Sequence, residues 1–229
     1  MIPLTTFPGG EMAKTIRTAP AILSDDPQAF SRMVMQAGQF TDFAQFDIMD
    51  GIFVPSKSIT CSDVTAIKTS LRWEVHLMVV NPENCLAGFR DAGAFKAVFH
   101  YEAVPDPGTT IELIHHLGMK AGMAVNPGTT NDAIAPFVDR LDSVLFMSVN
   151  PGYYGAPFIP EVLDKVRDFR RSFPDIEIGM DGGVNEKTIP DIVTSGTDVI
   201  YIGSAVFRQP DPGEAFRRLT ALANNSAGG

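Results

Sequence analysis

Cysteine is nearly missing from this sequence, with Cys61 and Cys85 as its whole complement. Their spacing fits neither a metal site nor a redox pair, so both are expected as buried or half-buried thiols. Runs of lysine or arginine are missing too, and 18 basic against 27 acidic residues leave a formal net charge of −9. That balance lacks the basic footprint of phosphate-backbone binding and argues against nucleic acid as a partner. No segment approaches the length of an apolar membrane span. The opening stretch MIPLTTFPGGEMAKTIR places Pro and Gly where a signal peptide needs an apolar core. A cytoplasmic protein without a membrane partner is therefore expected. Also lacking is a GxGxxG turn after the first β-rich run, which removes the main support for an open, doubly wound sheet.

What is present is alternation. Short β-rich runs recur at 19–23 (APAIL), 43–49 (FAQFDIM), 72–79 (RWEVHLMV), 95–102 (FKAVFHYE), 120–126 (KAGMAVN), 143–150 (SVLFMSVN), 176–182 (IEIGMDG) and 198–207 (DVIYIGSAVF). Between them lie segments of helical period such as DPQAFSRMVMQAGQ and IPEVLDKVRDFRRSF, most opened by Asp, Asn, Thr or Pro and several closed by Gly. Eight such βα units in 229 residues, 45% of them hydrophobic, fit one closed parallel barrel. Residues 1–16 precede the first unit and are expected as an N-terminal arm or disordered leader. Residues 17–229 then form a single (β/α)8 TIM barrel.

Barrels of this kind carry their chemistry at the C-terminal ends of the strands. In FAQFDIM the period of two places Gln45, Asp47 and Met49 on one face, with Phe46 and Ile48 on the other. The apolar pair belongs against the helices, so Asp47 is expected to point into the barrel mouth, where an unpaired carboxylate is costly unless it is working. The same count in WEVHLMV puts Glu74, His76 and Met78 together. Asp181 ends the seventh run and is followed at once by Gly182 and Gly183, which permit close approach of a ligand to the backbone. Asp50 reads as a turn residue opening GIFVP. His100 reads as a residue supporting the site from behind, and His115 and His116 as surface positions on a helix. NPGYYG, DGGV and GSAVF end strands six, seven and eight, and their N–H groups could converge on an anion. In so acidic a chain an anionic phosphate ester would need such local donors, because long-range steering works against it.

Seven motifs in order, FDIMDGIFVP, VHLMVVNPE, KAGMAVNPGT, LFMSVNPGYYG, FIPEVLDKVRDFR, DGGV and GSAVF, resemble the ribulose-phosphate 3-epimerase family from about residue 18 to residue 210. The resemblance implies a TIM barrel of the ribulose-phosphate-binding type. It further implies a divalent metal (zinc, iron, manganese, cobalt or magnesium) without an organic cofactor, and a small phosphorylated ketose as substrate. Homo-oligomers, dimers or hexamers, are common in the family. Position by position, it puts the acid and base on Asp47 and Asp181, metal ligands on those carboxylates and His76, and the lining methionines on Met49, Met78 and Met147. The phosphate loops fall on Gly152, Tyr153, Tyr154, Gly155, Gly182, Gly183, Gly203 and Ser204.

Several positions depart from the family pattern. Ala21 stands where relatives usually have Ser, and Gln45 where they have a His as fourth metal ligand. Ile52 and Ser56 replace the His and Asn of MDGHFVPN, and Tyr154 replaces the second Gly of PGFGG. Gln45 is thus a candidate fourth ligand of weaker type, and the metal is expected to be loosely held. The implied reaction inverts carbon 3 of a ketose phosphate, D-ribulose 5-phosphate to D-xylulose 5-phosphate. Two carboxylates on different strands would pass a proton across a planar enediolate. Two other readings stay open: epimerisation or isomerisation of another ketose phosphate such as a hexulose 6-phosphate, and a non-catalytic phosphosugar-binding barrel.

Overall fold

The computed structural model describes residues 15–152 and 155–228. Tyr153, Tyr154 and most of the expected N-terminal arm lie outside them. Of the arm only Thr15 and Ile16 are described, and Ile16 is already buried in the core, its N–H donating to Asn224 Oδ1 at 3.1 Å.

The first half of the chain runs β1 (Arg17–Ile22), α1 (Pro27–Ala37), β2 (Phe43–Met49), α2 (Cys61–Thr65), β3 (Arg72–Met78), α3 (Glu83–Asp91), β4 (Lys96–His100) and α4 (Pro107–His116). The second runs β5 (Lys120–Val125), α5 (Asn131–Ile134), β6 (Ser143–Met147), α6 (Glu161–Ser172), β7 (Glu177–Asp181), α7 (Ile189–Thr194), β8 (Val199–Ile202), α8 (Ser204–Phe207) and α9 (Pro212–Ala227). The strands pair in parallel in sequence order and β8 returns to β1, closing an eight-stranded barrel. Helix starts follow the expected chemistry. Asp26, Asp106 and Asp211 cap α1, α4 and α9 with side-chain oxygens, each followed by a Pro.

Alternation along the strands sorts side chains into two compartments. Phe46 faces outward between Phe30, edge-on at 5.1 Å, and Trp73, stacked at 4.6 Å. Phe146 and Phe169, 5.2 Å apart, dock α6 on β6. The opposite faces fill the interior with polar residues at both ends. At the N-terminal end Lys96 Nζ lies 2.7 Å from Glu74 Oε2 and 3.1 Å from Glu177 Oε1, and Glu177 also pairs with Arg17 at 2.7 Å. At the other end lie the residues that form the mouth.

Three runs end earlier than expected. DVIYIGSAVF reads as a strand through residue 207, yet β8 stops at Ile202 and Ser204–Phe207 form α8. Gly203, with φ −91° and ψ −92°, breaks the extended path, and a short apolar run cannot by its pattern separate strand from buried helix. The fourth and sixth runs end early for a related reason. After His100 the chain turns into a 3-10 segment, Tyr101–Ala103, and after Met147 it leaves the barrel toward Pro151 and Gly152.

Glu74 is fully buried with Lys96 as its nearest cation. Lys96→Met should therefore destabilise the fold by about 3–5 kcal/mol, whereas the double change Glu74→Leu with Lys96→Met should recover most of that loss. Urea denaturation of both variants checks this. An unshifted midpoint in the single variant would contradict the buried pairing.

Candidate active site

Register brings the ionisable groups together. β2 and β3 align Asp47 with His76 and Met49 with Met78, while β6 and β7 align Met147 with Asp181. Asp47 and His76 are buried, and the Asp181 side chain is 14% exposed. Although β1 and β8 stand between their strands, the Asp47 and Asp181 carboxylates converge on one amide. Gln45 Nε2 donates to Asp47 Oδ1 at 2.9 Å and to Asp181 Oδ2 at 2.8 Å. His76 Nδ1 approaches the same two oxygens, at 3.0 Å and 3.7 Å.

Two negative charges this close in a buried cleft cannot both be cheap. Burial, then repulsion from Asp47, pushes the Asp181 carboxyl up to about 7, with His76, Gln45 and the Gly182 N–H opposing. Burial disfavours a charged His76, but its hydrogen bond to Asp47 and the carboxylates of Asp47, Asp181 and Glu74 outweigh that and raise its basicity. Behind it, His76 Nε2 meets His100 Nε2 at 2.9 Å. Burial holds His100 down to about 4, so its ring is neutral. Burial would raise Glu102, yet the adjacent His100 ring and bonds from the Thr129 hydroxyl and the Asn126 N–H hold it at about 2.

The cleft above the carboxylates is lined by Met49, Met78 and Met147 and by the expected glycines Gly152, Gly155, Gly182 and Gly183, with Gly203 and Ser204. At two of these, glycine is a requirement. Gly182 has φ +105°, and a Cβ there would meet Val149 Cγ2 at 2.5 Å; Gly183 has φ +61°, and a Cβ would meet the Phe158 backbone at 2.9 Å.

The bland expectations also find their places. Asp50 accepts from the Ile52, Phe53 and Val80 N–H groups at 2.7, 2.9 and 2.8 Å, a turn role. His115 and His116 are exposed, and both cysteines are half-buried. Of the departures from the family pattern, Ala21 lines the cleft, whereas Ile52 is 74% exposed and neither it nor Ser56 lines it. Sequence reasoning missed Ser148, whose hydroxyl donates to the Asp181 and Gly182 carbonyls at 3.0 and 2.6 Å and ties the end of β7 to β6. Its signal, a lone Ser in VLFMSVN, is indistinguishable from an ordinary strand-end residue.

The description "Ribulose-phosphate 3 epimerase family" matches this chain over residues 17–207. The chain belongs to that family. It is 38% identical over 212 residues to ribulose-phosphate 3-epimerase of Bacillus subtilis, covering 89% of this chain and 98% of that protein. The enzyme of the same name from Schizosaccharomyces pombe is 36% identical over 212 residues, at 89% and 92% coverage. Among solved structures, 3-hexulose-6-phosphate synthase from Salmonella typhimurium aligns with a TM-score of 0.68 at 14% identity, covering 92% of this chain and all (100%) of that one. Orotidine 5'-phosphate decarboxylase from Pyrococcus horikoshii aligns at 0.64 and 15% identity, with 90% and 98% coverage. At those identities the likeness shows the shared barrel alone.

In this family member the donor set suits a divalent cation. One oxygen each of Asp47 and Asp181 and one nitrogen of His76 all lie within 4.8 Å of one another. Gln45 fits the same picture from the other side. Its Nε2 faces the carboxylates while its Oε1 is buried without a hydrogen-bond partner. A half-turn of that amide would present Oε1 to a cation between the carboxylates. A neutral amide oxygen is a poorer ligand for zinc than imidazole. Gln45→His should therefore tighten zinc binding, measured by competition with a chromophoric chelator. Equal or weaker binding by the variant would show that position 45 does not reach the ion.

Proposed function

We propose that the protein interconverts D-ribulose 5-phosphate and D-xylulose 5-phosphate, with Asp47 and Asp181 as the proton-transfer pair at carbon 3. One observation carries this reading: two carboxylates from separate strands converge on one cleft, and one of them is pushed up to about 7. Inverting a carbon beside a ketone requires a base on one face of a flat intermediate and an acid on the other. A carboxyl of pKa near 7 is available in both forms at neutral pH.

Each residue then has a task. One carboxylate removes the carbon 3 proton while the other, protonated, returns one from the opposite face, and the reverse reaction exchanges their roles. Met49, Met78 and Met147 provide a polarizable, water-poor wall that protects the enediolate from stray protonation. Ser148 fixes the end of β7, and with it the direction of Asp181. The glycine loops after β6, β7 and β8 bind the phosphate through backbone N–H groups, holding the far end of the sugar while carbon 3 sits between the carboxylates. A divalent cation held by Asp47, His76 and Asp181, with Gln45 as a weaker neighbour, would supply Lewis-acid stabilisation of negative charge developing on the substrate. A cytoplasmic location and assembly into homo-oligomers belong to the same proposal.

Asp47→Asn and Asp181→Asn should each lower turnover by several orders of magnitude while leaving the fold and phosphate-ester binding in place. Solvent-deuterium incorporation at carbon 3 reads this directly, and near-normal epimerisation by either variant would sink the two-carboxylate scheme.

Donors arranged for a dianion are left unpaired beside a free sugar. Unphosphorylated ribulose should accordingly be turned over at least about a thousandfold less efficiently, on the scale of a few kcal/mol of charge-assisted bonding. Comparable kcat/KM for the two sugars would contradict the phosphate-loop assignment.

A further inference from the structure

The geometry points to His100 and Glu102 as a positioning relay that keeps a proton on His76 Nε2 and thereby leaves His76 Nδ1 to face Asp47 and Asp181, as a donor without a cation and as a ligand with one. The inference deepens the cation-assisted epimerase reading and rests on it.

Hydrogen positions follow from the network of partners. His76 Nε2 and His100 Nε2 are 2.9 Å apart, so a single N–H must lie between them; two lone pairs or two protons would repel. Which ring donates is decided one step further back. Glu102 Oε2 stands 3.4 Å from His100 Nδ1, a buried atom with no closer hydrogen-bond partner, while Glu102 Oε1 accepts from the Asn126 N–H at 2.9 Å and from the Thr129 hydroxyl. An ionised carboxylate only accepts, so the His100 proton belongs on Nδ1, facing Glu102. That leaves His100 Nε2 a lone pair, and the bond to His76 must be donated by His76 Nε2–H. With its Nε2 proton engaged there, His76 Nδ1 donates to Asp47 when no cation is present, and can give up that proton to present its lone pair to a cation where the Asp47 and Asp181 oxygens converge. A cation at that point satisfies all three groups.

The reverse arrangement carries a visible penalty. If His100 donated from Nε2, its bare Nδ1 would face the Glu102 carboxylate inside the barrel wall. Nor can the members easily exchange places. His100 is fully buried, stacked on His76 at 5.1 Å and pressed by Phe53 at 4.8 Å. The loop holding Glu102's partners is fastened by Lys165, whose Nζ donates to the Asn126, Pro127 and Thr129 carbonyls at 2.8, 3.3 and 2.7 Å. A histidine ligand whose far nitrogen is held by such a partner gains basicity and a fixed ring orientation, and losing the partner commonly costs about 10–100-fold in metal affinity.

The test uses the full chain labelled with ¹⁵N, with zinc(II) as the probe ion. Long-range ¹H–¹⁵N spectra should show His100 protonated on Nδ1 throughout, and His76 with a proton on Nε2 alone in the zinc-loaded protein and on both nitrogens in the zinc-free protein. His100→Phe, which fills the ring volume without an acceptor, should weaken zinc binding about 10–100-fold and lower kcat with little change in KM for the phosphorylated ketose. His100→Gln offers an amide oxygen to His76 and an N–H to Glu102, and should restore zinc binding to near the wild-type level. A purely structural role would not produce that rescue. In the zinc-free protein Glu102→Ala should move the proton between the two rings from His76 Nε2 toward His100 Nε2. A bare Nε2 on His76 in the wild-type spectra, or wild-type zinc affinity in His100→Phe, would overturn the relay. Should His100→Phe fail to fold, the wild-type spectra and the His100→Gln affinity still decide the matter. Should the wild type show the expected protonation and zinc binding but no epimerisation of any ketose phosphate, the relay would stand and the proposed activity would fall.

Discussion

The repulsion between Asp47 and Asp181 is the constraint to which the rest of the mouth responds. Two carboxylates directed at one point in a nearly dry cleft are unfavourable unless a proton, a donor or a cation stands between them. In the structure the Gln45 amide and the His76 ring occupy that position, and the Asp181 carboxyl retains its proton to about 7. That unfavourable pairing also makes the site chemically useful: a pair that shares protons readily can deliver one to a substrate and take one back. The same residues, with a cation in place of the shared proton, become a binding site for positive charge. The proposed proton transfer and cation binding would thus both follow from a single electrostatic arrangement.

The barrel can sustain this arrangement because its polar groups are divided between the two ends. At the N-terminal end Glu74, Lys96, Glu177 and Arg17 alternate in sign and neutralise one another. At the mouth the charges are unbalanced, and the excess is negative. Between the barrel strands and the helices the packing is mainly apolar, with Phe46, Phe146 and Leu77 among the fully buried side chains and a Thr18–Thr220 hydroxyl pair joining β1 to α9. Such a shell resists deformation, so the carboxylates cannot relax apart. In the proposed function the glycine loops complement this, because backbone N–H groups would attract an anion without adding a formal charge beside the carboxylates.

Much of the fold was legible along the chain because βα alternation is a local property. The strand faces of FAQFDIM and RWEVHLM follow from a period of two, and that period alone predicts that Asp47 and His76 share the interior. Asp50 was legible as a turn residue, and the Gly182–Gly183 pair as a place of close approach. Where local pattern is ambiguous the reading overran: the apolar SAVF of residues 204–207 suits a strand as well as the helix it forms. The part played by Ser148 was invisible, since nothing near it in sequence announces that its hydroxyl will reach carbonyls 33 and 34 residues away.

The sequence by itself determined the barrel, the inward faces of its strands and the family, and it nominated the residues proposed for its chemistry, because each of these rests on residue type and short-range spacing. Only the tertiary structure decided how those residues meet. Gln45 spanning both carboxylates, His100 standing behind His76, Glu102 behind His100, and Ile52 turned out to solvent all depend on register between strands and on where loops pack. Protonation was settled at that level too. The balance of burial against neighbouring charge that shifts Asp181 and His76 exists only once strands two, three and seven have been closed around a common axis.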